Sequence, residues 1–276
     1  MTHTETGCNG LIVFTDLDGT LLDHATYGWA PARPALDALR ERGHWLVLAS
    51  SKTAAEIAPL RAELGFAHCP AIVENGAGIL EPGDAAAGFD DCDRRRILQA
   101  LDGLPAEMRA RFSGFHDWSV AEISERTGLA TDAARQAATR EYSEPGLWSG
   151  TLRELEAFTQ ALRDAGIVAQ QGGRFLTFSF GATKAGRMME IAAERRAAEG
   201  TVLTVALGDA PNDIEMLERA DRSFIVLNDS HQGVPPLHGE KSGTIVRSPA
   251  PGPSGWNECV LSVVADMTGN AREHDG

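Results

Sequence analysis

The sequence predicts an α/β protein: a mostly parallel, helix-covered sheet with an α+β unit inserted into it. Three observations carry this expectation. Short apolar runs alternate with helical patterns from residue 11 to about residue 75. That alternation then gives way to consecutive helical segments and a candidate hairpin. Beyond residue 182 the first pattern resumes. Strand–helix–strand alternation implies a parallel sheet with right-handed crossovers. The runs are apolar throughout, not alternating, as strands covered on both faces should be.

In order along the chain, "LIVFTD" (11–16) reads as a strand and "PARPALDALRERG" (31–43) as a helix with Gly43 beyond its end. "WLVLAS" (45–50) is a second strand. "TAAEIAPLRAELG" (53–65) is a helix with a capping box, Thr53 at the N-cap and Glu56 three residues on, and Gly65 as its stop. "AIVEN" (71–75) is a third strand. Helical patterns follow at 93–103, 119–128, 131–142 and 151–166, and 167–180 reads as a hairpin about Gly172-Gly173. After it come a helix (183–200), a strand (201–209), a helix with Pro211 in its first turn, strands at 223–229 and 243–248, and a closing helix over 256–267. The expected division is a core of 1–81 and 182–276 around an insert of 82–181. "EPGDAAAG" (81–88) and "SPAPGPSG" (248–255) read as loops.

The chain has 276 residues, 43% of them apolar, and a formal net charge of -14 from 39 acidic and 25 basic residues. Such a balance argues against nucleic acid and anionic membrane as partners. Cys8, Cys69, Cys92 and Cys259 fall in no metal-binding spacing and read as reduced thiols. The polar N-terminus lacks an apolar signal core and no apolar run is long enough to span a bilayer, so the expectation is a cytoplasmic protein. Oligomeric state is not legible.

Ligands of open parallel sheets bind at the carboxyl ends of strands. Asp16 and Asp18 leave the first strand there, and Asp209, Asn212 and Asp213 follow another. An Asp/Gly turn or a helix-capping Asp would account for either cluster alone. Together, Asp16, Asp209, Asp213 and a backbone carbonyl near Asp18 make an oxygen-only shell that suits Mg²⁺. Ser50 and Ser51 stand before a helix N-terminus, where hydroxyls and backbone N–H groups attract anions or merely cap the helix. Lys184 opposes the dipole of the helix it starts, which asks for a reason beyond a solvated lysine. A carboxylate nucleophile, a second carboxylate as acid and base, a cation, a hydroxyl and a lysine suit phosphoryl transfer.

This pattern resembles the haloacid dehalogenase (HAD) superfamily. "DLDGT" is similar to its first motif, Ser50 in "VLASSK" to its second, Lys184 to its third and "GDAPND" to its fourth. The insert between the second and third motifs resembles an α+β cap, so the implied architecture is a HAD-like Rossmannoid core with a substrate-specifying cap. More narrowly, "TDLDGTLLDHATYGW", "SSKTAAEI", "IVENGAGI" and "REYSEPGLW" resemble the mannosyl-3-phosphoglycerate phosphatase family. That resemblance implies Mg²⁺-dependent hydrolysis of a small phosphorylated sugar–glycerate, 2-O-mannosyl-3-phosphoglycerate, to a compatible solute and phosphate. It implies Asp16 as nucleophile, Asp18 as general acid/base with its carbonyl on the metal, and Lys184 steadying Asp16 and the phosphate. Ser50, or Ser51 one residue on, would bind phosphate. Asp209 would ligate metal, Asp213 directly or through water, and Asn212 would bond near the phosphate. Glu74 and Asn75, at a strand end, are candidates for sugar hydroxyls, and Arg140 and Arg174 for the glycerate carboxylate. Another capped sugar-phosphate phosphatase, such as a glucosyl-3-phosphoglycerate phosphatase, or a phosphomutase, remains an alternative. A phospho-Asp signalling receiver fits less well, since it needs neither a long insert nor a second Asp beside the nucleophile.

Overall fold

The computed structural model describes residues 10–84, 91–172, 174–230 and 233–273, the last five as backbone alone. Cys8, Gly173 and residues 85–88 of the Ala-rich loop at 81–88 lie outside the described residues. The strands are β1 (Gly10–Thr15), β2 (Trp45–Leu48), β3 (Ala71–Val73), β4 (Gly78–Leu80), β5 (Phe112–Gly114), β6 (Glu144–Trp148), β7 (Val168–Gly172), β8 (Phe175–Ser179), β9 (Val202–Gly208), β10 (Arg222–Leu227) and β11 (Ile245–Pro251). The helices are α1 (Arg33–Glu41), α2 (Ala54–Glu63), α3 (Cys92–Asp102), α4 (Ala106–Arg109), α5 (Val120–Thr127), α6 (Thr131–Ala138), α7 (Leu152–Arg163), α8 (Lys184–Glu199), α9 (Ile214–Arg219), α10 (Gly239–Ser242) and α11 (Ser254–Glu273).

The main sheet has the order β11-β10-β9-β1-β2, and every pairing in it is parallel. The uninterrupted apolar runs are explained by its two covered faces. Leu11, Val13, Leu46 and Leu48 pack under α1, α2 and α11, while Ile12, Phe14 and Val47 pack under α8 and α9. Each fully buried aliphatic or aromatic side chain contributes about 1.5–3 kcal/mol of transfer free energy. The fold class is therefore the one the alternation predicts.

The third strand joins less than expected. β3 touches the main sheet through a single parallel bridge, Ala49 to Ile72, and turns back to pair antiparallel with β4. A second sheet, β5-β6-β8-β7, is antiparallel throughout. Its β8 alternates: Leu176 and Phe178 pack against α3 and α7, while Phe175 belongs with the Phe115 and Trp118 cluster on the opposite face.

The helical pattern runs to Tyr142, but α6 ends at Ala138. Thr139 leaves helical geometry with φ -80° and ψ 63°, and the next residues are drawn onto the main core by Glu74. No helix among the described residues is long and apolar enough to cross a membrane. Cys69 and Cys259 are buried and carry free thiols.

Candidate active site

The carboxyl ends of β1 and β9 lie side by side, because Thr15 pairs with Leu207 and the ladder continues through Asp16 N–H to the Leu207 carbonyl (2.9 Å). This register brings Asp16, Asp209 and Asp213 together, with one carboxylate oxygen from each lying within 4.8 Å of the others. Gly19 turns the chain away with φ +83°, and a Cβ there would lie 2.1 Å from the Asn228 amide nitrogen. Only glycine combines that backbone with that approach.

Lys184, the first residue of α8, is buried and donates to Asp16 Oδ1 (2.6 Å) and Asp213 Oδ1 (2.8 Å). The lysine that opposes the helix dipole thus has its reason in two carboxylates. Burial works to depress Lys184, but Asp16 and Asp213 outweigh it and hold the ammonium above its ordinary range. Asp16 is pushed well above the usual carboxylate range by burial; Lys184 opposes this, and Asp213 and Asp209 add to it. A close approach by glycine also sets α8 in place, since a Cβ on Gly76 would lie 2.1 Å from the Thr183 carbonyl carbon.

Asp209 and Asp213 are held rigidly. Thr20 Oγ1 donates to Asp209 Oδ1 and Asn228 Nδ2 to Oδ2, both at 2.7 Å. Asp213 Oδ2 accepts from the backbone N–H groups of Asp209 and Ala210, each at 3.2 Å. Asp18 instead pairs with Lys52 (2.8 Å), whose ammonium also lies 5.3 Å from the centre of the Tyr27 ring. Burial lowers the affinity of Lys52 for its proton, but Asp18 reverses this and leaves a net rise.

Ser50 is buried, and its hydroxyl accepts from Lys52 N–H (3.3 Å). Ser51 is exposed on the wall of a cleft of ≈370 Å³. Lys52, Asn75 and Asn212 share that wall, and the second sheet faces them with Phe175, Thr177 and Gln170. Asn212 Nδ2 donates to Asn75 Oδ1 (3.3 Å). The cleft meets the carboxylates through Lys52, which touches Asp18, and Asn212, the neighbour of Asp213.

Two sequence expectations need correction. Glu74 does not face the cleft. It is buried with φ +50° and accepts from Glu141 N–H (2.9 Å), Tyr142 N–H (3.4 Å) and Ser143 Oγ (2.6 Å), with Arg140 Nε at 3.3 Å. A non-glycine residue in that conformation is costly, and the surrounding donors keep it there. Arg174 does not reach the cleft either; its guanidinium caps the end of α5 through the carbonyls of Arg126 (3.0 Å) and Thr127 (3.1 Å). Arg140 does line the cleft, tied to Ser143 and the Ser51 carbonyl. Replacing Glu74 with Ala strands the buried Arg140 guanidinium. We expect a loss of about 3–5 kcal/mol in urea unfolding, the usual scale for breaking a buried pair; an unchanged midpoint would contradict this role.

Sequence reasoning passed over Asn228, although it follows the end of β10 and so obeyed the same strand-end rule. It also passed over Trp256, whose indole N–H donates to Thr15 Oγ1 (2.9 Å), which in turn donates to the Asp16 carbonyl (2.7 Å). No local pattern links a residue of α11 to β1.

Solved structures share this fold. A phosphatase of the haloalkanoate (HAD) superfamily from Bacteroides thetaiotaomicron superposes with a TM-score of 0.65 at 17% identity, over 95% of this chain and 97% of its own. The sucrose-phosphatase of Synechocystis sp. PCC6803, solved with sucrose and phosphate, gives 0.56 at 16%, over 94% and 98%. A haloacid dehalogenase-like hydrolase from B. subtilis gives 0.57 at 18%, over 93% and 98%. At such identities the likeness speaks for the fold. The sequence itself goes further, because the profile of the haloacid dehalogenase-like hydrolases matches residues 13–104 and 151–233. That match covers more than half of the chain, including all four carboxylates at the strand ends and Lys184, and so the chain belongs to the haloacid dehalogenase-like hydrolase family.

Proposed function

We propose that the protein is a Mg²⁺-dependent phosphatase that hydrolyses 2-O-(α-D-mannosyl)-3-phosphoglycerate to mannosylglycerate and phosphate. It would act in the cytoplasm, in compatible-solute synthesis. The observation that carries the chemistry is Lys184 bridging Asp16 and Asp213 beside Asp209, at the mouth of a roofed cleft. The choice of substrate rests on the sequence resemblance. Residues 82–181 would be the specificity cap, supplying Arg140 and the second sheet to the cleft wall.

The donor set fits the metal: three carboxylates converge, all ligands are oxygen, and no Cys or His takes part. Asp16 and Asp209 would hold it with the Asp18 carbonyl, and Asp213 directly or through water. When bound, Mg²⁺ supplies positive charge beside the transferring phosphoryl group. Ser50, Ser51, Asn212 and Lys184 would grip the phosphate oxygens. A carboxylate oxygen of Asp16 attacks phosphorus, the bond to the ester oxygen breaks, and Asp18 gives that oxygen its proton. Water then attacks the aspartyl-phosphate and Asp18 takes a proton from it. The Asp16–phosphorus bond breaks, releasing phosphate and restoring both carboxyl groups. Asn75 would contact the sugar, and Arg140 the glycerate carboxylate.

A phosphate-release panel tests this reading: mannosyl- and glucosyl-3-phosphoglycerate, mannose and glucose phosphates and 3-phosphoglycerate, with Mg²⁺ and with EDTA. The mannosyl ester should be preferred and EDTA should abolish release. Preference for the glucosyl ester would move the assignment to the related phosphatase. Phosphate returned to a sugar would indicate a mutase, and full turnover after exhaustive chelation would remove the metal from the reading.

A further inference from the structure

We propose that the face of the second sheet turned toward the cleft is a sugar-reading surface, with Gln170 and Thr177 as its specificity-determining residues; this rests on the phosphatase reading for the other end of the substrate. The register places these side chains. Gln170 of β7 pairs directly with Thr177 of β8, and Thr177 pairs with Pro145 of β6. Residues opposite one another in neighbouring strands share a face, with Cβ atoms about 4.5–5.5 Å apart. All three line the cleft, so they form one row across three strands. Phe175, two residues from Thr177, extends the same face.

The chemistry of that row is specific. It offers an amide and a hydroxyl beside a proline and an aromatic ring. Neither the Gln170 amide nor the Thr177 hydroxyl makes a side-chain hydrogen bond with another described residue. No charged side chain of these strands lines the cleft, Glu144 of β6 being buried against Arg94; the charges on the cleft wall are Lys52, Glu56 and Arg140. Of these, Lys52 is engaged with Asp18, Glu56 with Thr53, and Arg140 with Glu74. A second phosphate or a nucleotide diphosphate would find no cation on the strands of this face, and the cation beside it, Arg140, is the one assigned above to the glycerate carboxylate. A neutral, polyhydroxylated ring fits, since hydroxyls need donors and acceptors while the C–H face needs apolar surface. The cleft is thus divided into a charged end beside the carboxylates and a neutral end that reads the sugar.

The test compares the wild type with Gln170→Ala and Thr177→Val in two measurements. The first is the ratio of kcat/KM for mannosyl-3-phosphoglycerate to that for 3-phosphoglycerate, which lacks the sugar. One neutral hydrogen bond lost should lower that ratio about 3- to 10-fold per variant. The second is equilibrium titration with methyl α-D-mannopyranoside, which needs no catalysis and should weaken by a similar factor. A ratio that stays constant, because both substrates suffer alike or neither does, overturns the proposal. So does a glycoside titration that the variants leave unchanged. If the wild type releases no phosphate from any ester yet binds the glycoside in a variant-sensitive manner, the surface stands and the phosphatase reading falls.

Discussion

Asp16→Asn should reduce phosphate release to the no-enzyme background, with no phospho-enzyme trapped by acid quench. The amide keeps the shape and removes the proposed nucleophile. The fold should survive and gain. Asp16 is a buried carboxyl pushed above its ordinary range, mainly by burial, with Asp213 and Asp209 adding to the effect. A carboxyl raised in the folded state binds protons there more tightly than in the unfolded chain, so stability falls as pH rises between the two pKa values. Asn removes that penalty, and its advantage in thermal unfolding should grow from acid toward neutral pH, measured without divalent cations. More stable and inactive is the combination expected of a residue kept for chemistry. Asp18→Asn should differ in kind. It keeps the backbone carbonyl but loses the proposed proton carrier, and should cost roughly 10²–10⁴-fold. The cost to the first step should shrink for an activated aryl phosphate, whose leaving group needs no proton, read in a pre-steady-state burst. A phospho-enzyme in Asp16→Asn, or normal turnover in Asp18→Asn, would overturn the assignment.

The parts of this molecule legible in the sequence are those that repeat a simple rule. Apolar runs gave the main sheet because both of its faces are covered, and strand ends gave Asp16, Asp209 and Lys184's surroundings because parallel strands deliver side chains to one edge. The second sheet was harder. β5 spans only Phe112–Gly114, and β6 carries Pro145 and Gly146, residues that weaken any strand signal. Gln136 to Tyr142 kept a helical period, yet Glu74, 67 and 68 residues away in sequence from its partners, competes for the backbone N–H groups of Glu141 and Tyr142 and wins. A carboxylate read as a sugar ligand is therefore an internal anchor. Arg174 shows the same limit: an exposed arginine finds the nearest free carbonyls, and those belong to the end of α5. Local patterns fix which residues stand at an edge, while long-range partners fix which way their side chains turn.

Lys184→Met should separate stability from turnover. Lys184 is the buried cation between Asp16 and Asp213, and methionine has similar length without the charge. Its loss leaves two carboxylates facing each other in a buried site. Without divalent cations the variant should be less stable by about 3–5 kcal/mol near neutral pH. The sign of the pH dependence follows from the shifts. The ammonium is held above its ordinary value, so its contribution is complete below about pH 10.4 and disappears as pH rises through the folded value. Toward acid the Asp16 carboxyl, already raised and now without its lysine, takes up a proton. The unpaired charge vanishes, and the gap between variant and wild type should narrow. Mg²⁺ should narrow it too, because the variant's carboxylates, with no ammonium competing for them, should bind the cation more tightly and so gain more stability from it than the wild type does. Turnover should not follow. Mg²⁺ neutralises the carboxylates but does not replace an ammonium fixed beside the phosphoryl oxygens, so saturating Mg²⁺ should leave kcat roughly 10²–10³-fold low. Equal unfolding midpoints in chelator would show that Lys184 does not compensate the buried carboxylates. Full recovery of kcat with Mg²⁺ would show that its charge, and not its position at the phosphate, is all the site requires.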